Sequence, residues 1–217
     1  MAREQFHTEL LRLQQEILRM GALVEEQMAR AIQSLTDQNL ELADHVVADD
    51  DRVDDLEMDI ERRCLTLLAL QQPLAGDLRT VSTALKIITD LERMADHAVD
   101  IAKVTRRIAS EPLVKPLVDI PRMATLAAHM VRSALNAYVA RDIDMALSMI
   151  RMDDEVDQLY RVIFDDLIEI MRRDAASSFQ STHLLFVANY LERIADHATN
   201  LGEWVVYMVT GERRGLD

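Results

Sequence analysis

Residues 91–103 read LERMADHAVDIAK, and residues 191–203 read LERIADHATNLGE. The phrase LER(M/I)ADHA returns after 100 residues, so the chain is written twice. Glu92, Asp96 and Asp100 stand four residues apart in the first copy, and Glu192, Asp196 and Asn200 in the second. Working outward, NLELA from Asn39 matches DIDMA from Asp142, and DDRVDDL from Asp50 matches DDEVDQL from Asp153, both at an offset of 103. The fall in offset from 103 to 100 places a small deletion in a turn of the second copy.

Each copy reads as three helices. Phe6, Leu10, Leu13, Ile17, Met20, Val24 and Met28 recur at spacings of three and four, which predicts a long amphipathic helix ending near TDQN. Asn39 is then an N-cap for a second helix reaching about Leu70. Pro73 and Gly76 in QQPLAGD break the chain before a third helix from about Leu78 to Ile108. SEPLVKPLVDIP holds three of the four prolines, Pro112, Pro116 and Pro121, and reads as a linker. The plan restarts with Met123 to Val139, a cap at Asp142, Ile143 to about Met171, and a cap at Ser177 or Ser178 before a last helix to about Val209. The expectation is an all-α fold of six long helices in two repeated antiparallel three-helix bundles: residues 1–109, a Pro-rich linker 110–121, and residues 122–217.

Composition agrees. With 49% hydrophobic and 29% charged residues the 217-residue chain can bury a core, and 5 glycines and 4 prolines leave room for long helices. A formal charge of −14 argues against a nucleic-acid partner and toward cations or basic protein surfaces. The N-terminal stretch MAREQFHTELLRLQQEIL carries acids throughout and apolar residues at helical spacing, unlike a signal or transit peptide, and no run approaches the length needed to span a membrane. Cys64 stands alone, which excludes an internal disulfide framework and a cysteine zinc site. The expected compartment is the cytoplasm.

Residues four apart on a helix lie on one face, so Glu92, Asp96 and Asp100 form a slanting carboxylate stripe. The core seam of that helix runs through Ala84, Ile88, Leu91, Ala95, Ala98 and Ala102, with Glu92 at its edge. Like charges at this spacing cost about 0.2–0.5 kcal/mol per pair, which calls for a compensating cation. The preceding helices carry matching acids, Asp50 with Asp54 and Asp153 with Asp157. Packed side by side, the second and third helices of each half would join these into oxygen-only sets suited to Mg²⁺, Ca²⁺, Mn²⁺ or iron. The plainer reading is a solvated face neutralised by Arg93, Arg52, Arg79 or Arg106. His97 and His197 lie about 100° from the stripe, which favours packing over ligation.

Catalytic constellations are missing: the chain has no Gly-rich phosphate cradle, no GxSxG and no HExxH. Di-iron carboxylate bundles use ExxH, whereas Glu92 to His97 and Glu192 to His197 are five apart.

The stretch ALQQPLAGDLRTVSTALKIITDLERMADHAVDIAK, residues 69–103, with its weaker second copy, resembles the signature region of the PhoU family of bacterial phosphate-signalling proteins. The resemblance covers the whole chain. It implies two repeated three-helix bundles, each with an E/DxxxD motif, and a regulator rather than a catalyst. That regulator would be cytoplasmic, peripheral at the inner membrane face. It would couple the phosphate ABC importer, through a PstB-like ATPase, to a PhoR-like sensor histidine kinase, and hold the phosphate-starvation response and phosphate uptake in check. The resemblance also implies a homodimer and metal ions, iron, manganese or magnesium, at Glu92, Asp96 and Asp100 and at Glu192 and Asp196, with Asp50, Asp54, Asp153 and Asp157 alongside. Asn200 departs from the acidic pattern and predicts a weaker second site, with Glu203 as partial compensation. The competing readings are a ferritin-like metal-dependent enzyme and a plain helical scaffold.

Overall fold

The computed structural model describes residues 2–213 and 215, so the outermost residues of the two expected repeats, Met1 and Asp217, lie outside it. The chain forms six helical rods, two of them broken, and no strand among the described residues. The first half contains α1 (Ala2–Thr36), α2 (Leu40–Ala48), α3 (Asp51–Gln71) and α4 (Gly76–Ile108). The second contains α5 (Asp119–Ala140), α6 (Ile143–Leu147), α7 (Met149–Arg173), a 3₁₀ turn (Ala175–Ser177) and α8 (Ser178–Thr210).

Local chemistry accounts for most boundaries. Asn39 Oδ1 accepts from the Leu42 N–H at 3.0 Å, and Asp142 Oδ1 from the Met145 N–H at 3.0 Å, each satisfying an orphan donor of the first helical turn. The repeat-related residues Gln38 (φ 51°) and Arg141 (φ 54°) take the left-handed conformation that closes α1 and α5. α5 takes Pro121 into its first turn, where a missing N–H costs nothing. The α8 entry differs from expectation. Ser177 stands at the N-cap of α8 but turns its hydroxyl back to the Asp174 carbonyl at 2.6 Å, while Asp174 Oδ1 caps the preceding 3₁₀ turn, accepting from the Ala176 N–H at 3.0 Å.

The second and fifth rods are interrupted where an unbroken helix was expected. Between α2 and α3, Arg30 of α1 holds Asp49 at 2.6 Å, and the three acids Asp49, Asp50 and Asp51 suit the positive start of a new helix better than the negative end of an old one. Between α6 and α7, the Ser148 hydroxyl donates to the Met145 carbonyl at 2.7 Å, competing with the helical ladder.

α4 and α8 run antiparallel at the centre: Arg79 Nε donates to the Met208 carbonyl at 3.2 Å, and the Thr83 hydroxyl to the Trp204 carbonyl at 3.4 Å. α1 and α3 pack on α4, and α5 and α7 on α8. α1 and α5 close the other side, joined by Arg132 with Glu25 and by Gln14 Nε2 to the Val139 carbonyl at 3.4 Å. Gly21 allows that approach, because a Cβ there would collide with the Leu135 side chain as it stands. One continuous core results. The α4 seam is therefore wider than a one-sided helix would need: Val81, Ile87, Met94, Val99 and Ile101 are buried along with the expected alanines and leucine. The connection between halves is pinned by the buried Gln180, whose side chain accepts from the Val114 N–H and donates to the Pro112 carbonyl.

Candidate functional site

The packing of α3 on α4 brings Asp50, Asp54, Glu92 and Asp96 onto one face. Their mutual influence is visible in their protonation. Burial pushes the Asp50 carboxyl above its usual range, and the charges of Asp54 and Asp96 push it further. Asp54 is raised by burial and then by Asp96. Glu92 is pushed up to about 7 by burial and by Asp96, against the opposing charge of Arg93. Glu57 belongs to the same face: its carboxylate accepts from the Thr89 hydroxyl of α4 at 3.2 Å, and burial raises it despite that bond. Sequence reasoning passed over Glu57, although its place three residues after Asp54 is a same-face spacing. Asp100, one turn beyond Asp96, is paired with Lys103 at 3.0 Å, and Lys103 also favours the ionised form of Asp50.

The packing of α7 on α8 builds the second face. Glu192 is raised by burial, then by Asp196 and Asp157, with Asp153 adding a smaller effect. Asp153 accepts from the Thr199 hydroxyl at 3.4 Å, and Asp157 is paired with Arg161 at 3.1 Å. Asn200 is half-buried beside this face. Glu203, expected to compensate, is 7% exposed, and Gly215 lies over its carboxylate.

Of the four arginines considered as neutralising partners, Arg93 alone touches the stripe, at 3.4 Å from Glu92 and 3.1 Å from Asp96. Arg52 pairs with Asp49 and Arg106 with Asp44, while Arg79 bonds a backbone carbonyl of α8. Among the described residues the α3–α4 face thus carries more carboxylates than cations in contact with them. Among the described residues no three His, Cys, Asp or Glu side chains are gathered in a geometry that could hold a metal ion. The faces are therefore open, with no closed cage. The donor set of the α3–α4 face, oxygen-only and short of counter-charge, is of the kind that suits a hard cation.

The histidines of the repeated phrase point elsewhere. His97 and His197 face each other across the α4–α8 seam with ring centroids 5.9 Å apart. His97 stacks on Tyr190 at 5.6 Å, and His197 Nδ1 lies 2.8 Å from Asp90 Oδ1. Burial, and then the charge of His197, hold His97 below its ordinary range.

Two repeat-related bundles around a shared central helix pair, each with an acidic face between its last two long helices, define a class of duplicated helical proteins. The family described as PhoU domain matches residues 17–105 and again 120–205. The chain is 40% identical over 218 residues to a phosphate-specific transport system accessory protein PhoU homolog of Clostridium acetobutylicum, covering 100% of both chains. A protein of the same description from Aquifex aeolicus is 41% identical over 204 residues, covering 94% of this chain and 92% of its own. The fold superimposes on the crystal structure of PhoU from Pseudomonas aeruginosa with a TM-score of 0.90 at 33% identity, covering 95% of this chain and 100% of that one. The phosphate transport system regulatory protein PhoU from Streptococcus pneumoniae gives 0.90 at 32% identity over 96% and 99%. The chain belongs to the PhoU family.

Proposed function

We propose that this protein is an accessory regulator of phosphate transport, and that it acts as a negative regulator of the phosphate-starvation response. The observation that carries the reading is the end-to-end match to a protein described as a phosphate-specific transport system accessory protein. In this reading it is an adapter rather than an enzyme, working as a homodimer in the cytoplasm at the inner membrane face. Its partners are the PstB-like ATPase of the phosphate ABC importer and a PhoR-like sensor histidine kinase. No helix among the described residues is long and apolar enough to cross a membrane, so attachment to that face would be through partners or surface charge.

Iron, manganese or magnesium would be held by Asp50, Asp54, Glu92 and Asp96 on one face and by Asp153, Asp157, Glu192 and Asp196 on the other, with Asp100 and Asn200 at the margins. A bound cation would offset the repulsion among these carboxylates. Carboxylates from the α3 and α4 segments would then hold it between them and tie the outer helix to the central one, and those of α7 and α8 would do the same.

Deletion tests the regulatory reading. Loss of the gene derepresses an alkaline phosphatase reporter in phosphate-rich medium, and repression that survives the deletion would overturn it. Elemental analysis of protein purified without chelator tests the metal reading: an Asp96→Ala and Asp196→Ala variant carries less metal than the parent, and equal content would count against it.

A further inference from the structure

Away from the acidic faces, the outer groove of each bundle is treated differently in the two halves. At the offset of 103, RMGALVEEQMAR from Arg19 matches RMATLAAHMVRS from Arg122, so Leu23 and Glu26 of α1 correspond to Leu126 and His129 of α5. In the first half ion pairs close the groove beside α1. Arg30 holds Asp49 at 2.6 Å and approaches Glu26 at 3.9 Å, and Arg52 lies 3.8 Å from Asp49. A volume of about 10 Å³ is left beside them.

In the second half the positions of Arg30, Asp49, Glu26 and Arg52 hold Ser133, Met152, His129 and Glu155, so the network cannot form. Asp59 of α3 is likewise replaced by Val162 of α7, which is 52% exposed. The groove between α5 and α7 stands open, with a volume of about 840 Å³. Leu126, Leu159 and Val162 supply its apolar surface, Arg122 and His129 stand along the α5 side, and Glu155 stands on the α7 side. Among the described residues Arg122 and Glu155 have neither an ion pair nor a hydrogen-bonding partner for their charges.

An apolar trough with one unpaired charge of each sign on opposite sides is complementary to a helix with an apolar stripe, an acid on one flank and a base on the other. The length fits as well. Arg122, Leu126 and His129 fall at i, i+4 and i+7, about two helical turns, which is the repeat by which a groove reads a helix.

We propose that the α5–α7 groove is the docking face for an amphipathic helix of a protein partner, which lays its apolar stripe on Leu126, Leu159 and Val162 and sets an acid against Arg122 and a base against Glu155. Arg30 fills the related groove of the first half, so the duplicated chain offers this docking face on one side only. The inference rests on the adapter reading above and adds the surface through which an adapter is engaged.

The experiment rebuilds the closed network in the open groove. His129→Glu, Ser133→Arg, Met152→Asp and Glu155→Arg are combined in the full chain, and calorimetry compares parent and closed variant against the purified importer ATPase and the purified cytoplasmic domain of the sensor kinase. The parent is expected to bind one of them, and the closed variant to bind it about tenfold or more weakly. Hydrogen exchange of the parent complex should show protection over residues 122–129 and 155–162. Circular dichroism checks the fold. Where the combined variant fails to fold, Val162→Asp, an exposed position carrying the residue of the first half, decides with the same expectation.

Parent-like binding by the folded variant, protection confined to other helices, or a parent that binds neither protein would overturn the docking face. A closed variant whose own sedimentation changes would assign the groove to a second copy of the chain and overturn it too. The reporter in the deletion strain judges the adapter reading separately: derepression there, with binding untouched by closure, removes the groove and leaves the adapter.

Discussion

His197 and Asp90 meet across the central helix pair, with Nδ1 and Oδ1 2.8 Å apart, while the repeat-related pair His97 and Tyr190 stack instead. The same two positions thus link α4 and α8 twice, once by a hydrogen bond to a carboxylate and once by ring contact. Removing one partner of a largely buried polar pair leaves the other unsatisfied, at a cost of about 1–3 kcal/mol. Asp90→Ala and His197→Ala are each expected to lose that much in urea unfolding. The double variant should lose less than the sum, because the shared interaction is removed only once.

The carboxylates raised in the folded state predict a pH dependence. Glu92 moves from an ordinary 4.5 up to about 7. Between those values the folded protein holds more protons than the unfolded chain, so stability falls as pH rises through that window. Asp50, Asp54, Glu57 and Glu192 are shifted in the same direction and add to the trend. In chelator the melting temperature should be higher at pH 5 than at pH 8, and Glu92→Gln should flatten the curve. His97, held below its ordinary range, works in the opposite direction below pH 6.5, so the deciding comparison is with the variant: a Glu92→Gln profile identical to the parent's would contradict the repulsion described for the first face.

Leu91 and Leu191 open the two copies of the repeated phrase, and both are fully buried. Leu→Ala at either position should cost about 2–5 kcal/mol. Because both side chains sit in one continuous core, each substitution should lower a single unfolding transition rather than split it, which calorimetry would show.

Cys64 is fully buried, and burial pushes its thiol up to about 12. A neutral, enclosed thiol reacts poorly with disulfide reagents. Native protein should be silent toward such a reagent at pH 8 and should release one equivalent in denaturant.

Asn39 and Asp142 cap equivalent helices with equivalent bonds. Alanine at either should cost about 1 kcal/mol, and serine should restore most of it, as chemical unfolding would report.

These caps were legible because capping is written into three or four consecutive residues. So was the duplication, carried by LERMADHA and LERIADHA. The breaks before α3 and α7 were not, because the apolar period runs through them without a glycine or proline. What interrupts the first is Arg30, a residue of another helix, reaching Asp49. Glu57 is hidden for a similar reason: it stands three residues from Asp54, outside the four-residue repeat of the acids, and the threonine that places it lies on α4. The spacing rule put His97 and His197 off the carboxylate stripe, yet their meeting across α4 and α8 depends on how two halves pack, which no helical period encodes.

The packing of α4 against α1, α3 and α8 has an evolutionary sense as well as a structural one. A single half, cut free, would uncover the apolar seam that α8 now covers, and its most direct remedy would be a second copy of itself in the same antiparallel pose. The present chain is such a pair made permanent. Its connecting segment, held down by Gln180, turns what would be a concentration-dependent encounter into an intramolecular one. Once tethered, the two copies need not stay identical, and they do not: Asn200 stands where the first half has Asp100, and Tyr160 where it has Glu57.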